Sequence, residues 1–157
     1  AVNADSSYDL AAGDTIWVKP GIYDQGGSTW SQTQSSVTYS GESRVYLDVK
    51  KVRLQATGSV SDTVIVGRKD PSSDTGIGST AVSGIKVKAA ANGTIIRGFT
   101  IRDCAAKVPG QDVPGRGAAF CSESTLNFIS DCIISNCAGC GVIGKCTAIR
   151  CGFFNNC

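Results

Sequence analysis

Three nine-residue segments in the last third of the chain align without gaps: Ile96-Arg-Gly-Phe-Thr-Ile-Arg-Asp-Cys104, Ile129-Ser-Asp-Cys-Ile-Ile-Ser-Asn-Cys137 and Ile149-Arg-Cys-Gly-Phe-Phe-Asn-Asn-Cys157. Each starts with Ile, carries Ile or Phe at its sixth position (Ile101, Ile134, Phe154) and ends on Asp or Asn followed by Cys. An imperfect repeat of this kind describes stacked structural units, none of which buries its apolar face alone.

The repeat extends backward: Gly84 lies 12 residues before Ile96, Gly117 lies 12 before Ile129, and Gly141 lies 8 before Ile149. Cys104 to Cys137 is 33 positions and Cys137 to Cys157 is 20, with most of the difference in the Gly/Pro-rich stretch 105–116. The period is then about 20–24 residues, with insertions at one turn. Short strands joined by turns and stacked at about 4.8 Å satisfy that period, which predicts an all-β parallel β-helix. A leucine-rich repeat has a similar period but needs a Leu consensus that this chain lacks. The inward columns expected are Ile96/Ile129/Ile149 and Ile101/Ile134/Phe154, with Phe99/Cys132/Gly152 between them. A polar ladder Asp103/Asn136/Asn156 is expected at a turn, where short side chains bond neighbouring backbone groups.

Composition agrees. Nineteen glycines among 157 residues exceed the ordinary share, which favours strands with many tight turns. The length fits one domain over 1–157. Within it, 1–13 reads as a short helical cap, 14–103 as early coils with loops at 24–43 and 69–80, and 104–157 as cysteine-rich coils with a loop at 105–116. Thr15 to Val18 alternates as a strand, with Trp17 read as partly core. Val45, Leu47 and Val49 alternate, as do Val52, Leu54 and Ala56. Ile85 and Val87 alternate with Lys86 and Lys88, which predicts one buried and one wet face.

The charges are mixed, 15 basic against 13 acidic, with no basic stripe, so nucleic acid is not an expected partner. No run approaches the roughly 18 apolar residues of a membrane span. The chain contains no His, which excludes imidazole as base, shuttle or metal ligand. All eight cysteines fall between Cys104 and Cys157. Cys137-Ala-Gly-Cys140 with Cys146 and Cys151 raises a four-thiolate metal site, but a second pair of knuckle spacing is missing, and no metal is expected. A redox CxxC at a helix start is also missing. The reading kept is a ladder in which Cys104, Cys137 and Cys157 stack as small buried hydrophobes. Disulfides between turns, involving Cys121, Cys140 or Cys146, are the alternative.

Gly13-Asp-Thr-Ile-Trp-Val-Lys-Pro-Gly-Ile-Tyr23 resembles the first strand of right-handed parallel β-helix proteins of the pectate-lyase-like superfamily. Val52-Arg-Leu-Gln-Ala-Thr-Gly58 and Thr63-Val-Ile-Val-Gly67 resemble the turns that follow. Thr94–Asp103 and Ser130–Cys137 are similar to coils of large secreted bacterial repeat proteins. The resemblance covers about Gly13 to Cys157 and implies a right-handed helix of about four to five coils in an extracellular or cell-surface protein. It also implies further coils C-terminal to Cys157, because solenoid ends need polar caps and the chain stops on a repeat residue.

The fold carries lyases, hydrolases, adhesins and spacers, so activity must be argued from residues. In lyases of the family an outward Arg acts as base and clustered acids hold Ca²⁺. Arg97 and Arg150 occupy one outward repeat position, with Ser130 between them and Asp131 beside them. Arg97, Arg150 and Asp131 are the catalytic candidates, and Ca²⁺ enters only on that reading. One or two carboxylates fall short of the six to eight oxygens Ca²⁺ takes. Nor do Asp103, Asp112, Glu123 and Asp131 assemble into the paired acids of a glycosidase. Trp30 and Tyr39, in the polar stretch 24–43, are candidates for stacking on a sugar. The expectation is a structural or binding module contacting polysaccharide or cell-surface glycan. The alternatives are part of a polysaccharide lyase or hydrolase acting on acidic polysaccharide, and an adhesin passenger whose loops make the contacts.

Overall fold

A computed structural model describes residues 13–34, 36–48, 51–107, 119–124 and 126–156. Its strands are β1 (Thr15–Val18), β2 (Gly21–Tyr23), β3 (Ser28–Gln34), β4 (Val37–Leu47), β5 (Arg53–Ala56), β6 (Thr63–Val66), β7 (Ser83–Val87), β8 (Ile95–Arg97), β9 (Thr100–Arg102), β10 (Phe120–Ser122), β11 (Asn127–Ser130), β12 (Ile133–Ser135), β13 (Val142–Ile143), β14 (Cys146–Ile149) and β15 (Gly152–Phe154). Among the described residues the helical content is one 3₁₀ turn, Ala89–Ala91. The helical cap expected at the N-terminus falls on residues 1–12, outside the described residues, as do Val49, Asp112, Cys157 and most of the 105–116 loop.

The strands form three five-stranded sheets: β1-β5-β8-β11-β14, β2-β6-β9-β12-β15 and β3-β4-β7-β10-β13. Apart from β3, which pairs antiparallel with β4 at the edge of the third sheet, the chain visits the three sheets in rotation, and strands one circuit apart pair in parallel. Parallel neighbours need a long connection, and here the other two sheets supply it. Side chains alternate across each strand, and one set points inward: Leu54, Ile96 and Ile129 from the first sheet, Ile65, Ile101 and Ile134 from the second, Val45, Ile85 and Phe120 from the third. All are buried in one apolar cluster with Phe99, Cys104, Cys132 and Cys137. The Ile96/Ile129 and Ile101/Ile134 columns stand as expected.

The third copy is shifted by one residue from its expected register. Ile129 pairs with Ala148 and Ser130 with Ile149; Ile134 pairs with Phe153 and Ser135 with Phe154. Ile149 and Phe154 therefore leave the inward columns, and both are exposed. The turns explain the shift. Gly98, Asp131 and Arg150 hold positive φ at one corner, and Asp103, Asn136 and Asn155 at the next. Matching corners brings Cys151, in place of Gly152, under Phe99 and Cys132. It also puts Asn155 in the Asp103/Asn136 column and Asn156 under Cys137. Asn136 Nδ2 donates to the Asp103 carboxylate, so that pair bonds side chain to side chain. Asn156 bonds backbone, accepting from the Cys137 N–H at 3.1 Å and donating to the Ile134 carbonyl at 3.0 Å.

Residues 24–43 are not simply a loop. β3 and β4 pair antiparallel from Ser28↔Ser43 to Gln34↔Val37, a hairpin built of Ser, Thr and Gln. Apolar alternation finds buried strands, and this hairpin has little of it. Trp30 faces Gly41 across the pair, and a Cβ on Gly41 would meet the indole at 2.4 Å. The ring lies where a side chain would otherwise stand, an aromatic covering a cross-strand glycine.

The expected loop at 69–80 is a set of turns held by buried Asp70. Its carboxylate accepts from the Ser72 N–H (2.9 Å), the Ser72 hydroxyl (2.6 Å) and the Thr80 N–H (3.1 Å). These bonds, the Ser72 hydroxyl first, bring its pKa down to about 2. Because the folded value lies below the unfolded one, this contribution is complete above the ordinary carboxylate range and is lost as pH falls through about 2. Asp70→Asn is therefore expected to be less stable than the parent at neutral pH, with the gap closing as pH falls from about 4 toward 2. Urea midpoints across that range test it; a gap independent of pH contradicts it.

Candidate functional site

The three residues singled out as catalytic candidates meet on the outer surface at the corner between the first and second sheets. Asp131 sits in the turn between β11 and β12, held left-handed at φ 53°, a conformation that short polar residues tolerate. Its carboxylate accepts from Arg97 Nε at 2.9 Å, Arg150 Nε at 2.6 Å and Arg150 Nη2 at 2.8 Å. Arg97 comes from the strand one circuit before and Arg150 from the turn one circuit after. The arginines thus reach Asp131 from opposite sides and do not share a repeat position. The Arg150 hydrogen bonds, with the help of Arg97, hold the Asp131 carboxyl below its ordinary range, and the Asp131 carboxylate in turn pushes Arg150 up.

The triad forms one wall of an open groove also lined by Gln55, Val60 and Ile133. The Arg97 and Arg150 side chains remain 51% and 66% exposed. Each guanidinium has five N–H donors; Arg97 spends one on Asp131 and Arg150 two. Two cations and one anion leave a net positive site with free donors facing solvent. Trp17 belongs to the same outward column, two strands away through Gln55, about 10 Å at ordinary strand spacing. It is 65% exposed rather than partly core, because Ile16 and Val18 take the inward positions of β1.

Trp30 is displaced from the role expected of it. It is buried, and its ring lies 4.5 Å from Lys86 Nζ. Tyr39 lies farther along the same hairpin, opposite Gln32, away from the groove. Lys86, expected on a wet face, is fully buried. The hairpin covers it: Nζ donates to Gln32 Oε1 at 3.1 Å and Cys121 Sγ at 3.4 Å and pairs with Glu123 Oε1 at 2.9 Å. Period-2 alternation across β7 cannot reveal this, because the cover comes from a segment some fifty residues earlier in the chain.

The seven described cysteines are free thiols. Cys104 and Cys137 are buried on successive circuits, while Cys157 lies outside the described residues. Among the described residues no three His, Cys, Asp or Glu side chains gather as a metal-binding group. No helix among them is long and apolar enough to cross a membrane. Comparison with protein-family models, curated proteins and solved structures found no match.

Proposed function

We propose that the chain is a right-handed parallel β-helix module of an extracellular or cell-surface protein, and that it binds an acidic polysaccharide without cleaving it. The rotation of the chain through three sheets whose successive circuits pair in parallel supports the fold. One observation carries the function: Arg97 and Arg150 are clamped on a single Asp131, with exposed Trp17 in the outward column of Arg97. Guanidinium forks suit the planar carboxylate of a uronic acid, and an exposed indole offers a stacking face. The strand spacing separates the two by a distance that an oligosaccharide lying along the stack spans. Asp131 fixes both arginines before the ligand arrives, which lowers the ordering cost of binding.

Cleavage by a lyase of the resembling family draws on clustered acids with Ca²⁺ and on an arginine free to act as base. Here one carboxylate stands in the groove, and both arginines already donate to it. Titration with a defined oligogalacturonate should show binding that weakens with added salt. Arg97→Ala with Arg150→Ala, and separately Trp17→Ala, should each weaken it about tenfold, or roughly 1.4 kcal/mol. A neutral oligosaccharide of equal length should bind less tightly. Equal binding by the double variant defeats the assignment. A rise in unsaturated-uronate absorbance during incubation would move the protein into the lyase class.

A further inference from the structure

Four of the cysteines share one local arrangement. Cys104, Cys132, Cys137 and Cys151 each follow a residue in the left-handed region, Asp103, Asp131, Asn136 and Arg150, with φ between 50° and 56°. Each thiol turns back on the carbonyl two residues earlier. The distances are 3.3 Å to Arg102, 3.1 Å to Ser130, 3.3 Å to Ser135 and 3.4 Å to Ile149. Repetition of the corner places the four in two vertical pairs. Ala105 bridges Ala138, and the Ala138 N–H donates to the Cys104 carbonyl at 2.8 Å, so Cys104 and Cys137 are neighbours on successive circuits. Ile133 pairs with Gly152, and the Gly152 N–H donates to the Cys132 carbonyl at 2.9 Å, so Cys132 and Cys151 are neighbours as well. The sulfurs of each pair also sense one another: Cys104 interacts with the Cys137 thiol, and Cys132 with Cys151.

The thiol hydrogens are dispensable. Each of the four carbonyls also accepts a backbone N–H from the circuit before: Gly67 on Arg102, Gly98 on Ser130, Asp103 on Ser135 and Asp131 on Ile149. Loss of the S–H bonds leaves every one of these oxygens paired. Neighbouring parallel strands lie about 4.8 Å apart, within the roughly 4.4–6.8 Å between Cα atoms that a disulfide spans. The side chains of each pair leave the same corner in the same sense.

We propose that Cys104–Cys137 and Cys132–Cys151 are disulfide sites that staple the last three circuits together when the chain folds in the presence of a low-molecular-weight disulfide. The thiolate of one cysteine displaces a sulfur of the small disulfide, leaving a mixed disulfide and one small thiol. The second cysteine's thiolate then attacks the protein sulfur and releases the other small thiol. Two protein S–H bonds and one small S–S bond become one protein S–S bond and two small thiols. Thiolate is the attacking species; burial pushes the Cys104 thiol well up and Cys132 to about 11, while a hydrogen bond with Cys104 brings the Cys137 thiol down. Cys104, Cys132 and Cys137 are buried in the folded chain, closed to a small disulfide, so exchange runs during folding, before the circuits close over the sulfurs. Cys121, beside Lys86 under the hairpin, and exposed Cys140 stand outside both pairs.

The test folds the reduced 157-residue chain in a glutathione redox buffer and, in parallel, in dithiothreitol. Thermolysin cleavage before Ile133 separates Cys132 from Cys137, so the cross-links can be assigned by mass. The expected product contains peptides joined Cys104–Cys137 and Cys132–Cys151, with the other four of the eight cysteines open to alkylation in denaturant. It keeps the far-UV strand signal and unfolds at higher guanidinium than the dithiothreitol sample. Cys132→Ala should abolish one cross-link and leave Cys104–Cys137 intact; Cys137→Ala should do the reverse. Eight alkylatable thiols once the folded glutathione sample is denatured without reductant overturn the proposal. So does a dominant Cys146–Cys151 or other pairing, or a doubly cross-linked chain without strand signal.

Discussion

Ile129→Ala is expected to destabilise the chain by roughly 2–5 kcal/mol, whereas Ile149→Ala shifts stability by about 1 kcal/mol or less. The two residues open successive copies of the repeat and look equivalent in sequence. Ile129 is fully buried between Ile96 and Ala148, with neighbours on both sides along the column. Truncation there removes apolar contact and leaves a cavity that stacked strands, fixed by hydrogen bonds above and below, cannot collapse to fill. Ile149 stands one position off the inward column and is 42% exposed. Guanidinium unfolding followed by far-UV circular dichroism measures both. Equal losses would mean that the repeat runs in the gapless register of the sequence, with Ile149 inside. Because one residue of slip exchanges the two faces of a strand, this pair of substitutions reads the register directly.

The period, the inward columns of the first two copies and the ladder of Cys104 and Cys137 are legible because each rests on spacing within a single circuit or between adjacent ones. The third copy misleads because its final Cys157 attracts the alignment, while the geometry follows the corners. Aligning Cys151 with Cys132 gives the observed register, and the Asn136/Asn155 match was the available signal. The Arg97–Asp131–Arg150 triad was half visible: the residues stood out, but their convergence depends on that same one-residue shift. The hairpin and all it covers were not legible. Its strands are polar on both faces, and its Trp30 is buried by Lys86, from a strand far along the chain. Charge and aromatic character alone assign those two residues to the surface and to ligand contact; only tertiary cover reverses both.

That covered lysine yields the other large expected effect. Glu123→Ala should cost about 3–5 kcal/mol, while Lys86→Met should cost less, because the Glu123 side chain it leaves is the less buried of the two. Lys86 Nζ is sealed from water, and its charge is balanced by Glu123 at 2.9 Å, with Gln32 Oε1 and the Trp30 ring as secondary partners. Removing the carboxylate leaves an ammonium in a dry site with one carbonyl oxygen and a ring face, which replace only part of its lost hydration. Replacing the lysine by an unbranched apolar chain removes the charge and fills similar volume against Trp30 and Cys121; the Glu123 side chain is 15% exposed, but its Oε1 is buried and must turn toward solvent or take up a proton. The asymmetry is the diagnostic, because an exposed pair would lose under about 1 kcal/mol from either side. Urea unfolding of the two variants and of the doubly substituted chain completes the cycle. The double variant should recover most of the stability lost in Glu123→Ala, since no buried charge is left in it. If Lys86→Met proves the more damaging change, the hairpin is held down by the ion pair itself and not by the apolar cover of Trp30 over Gly41.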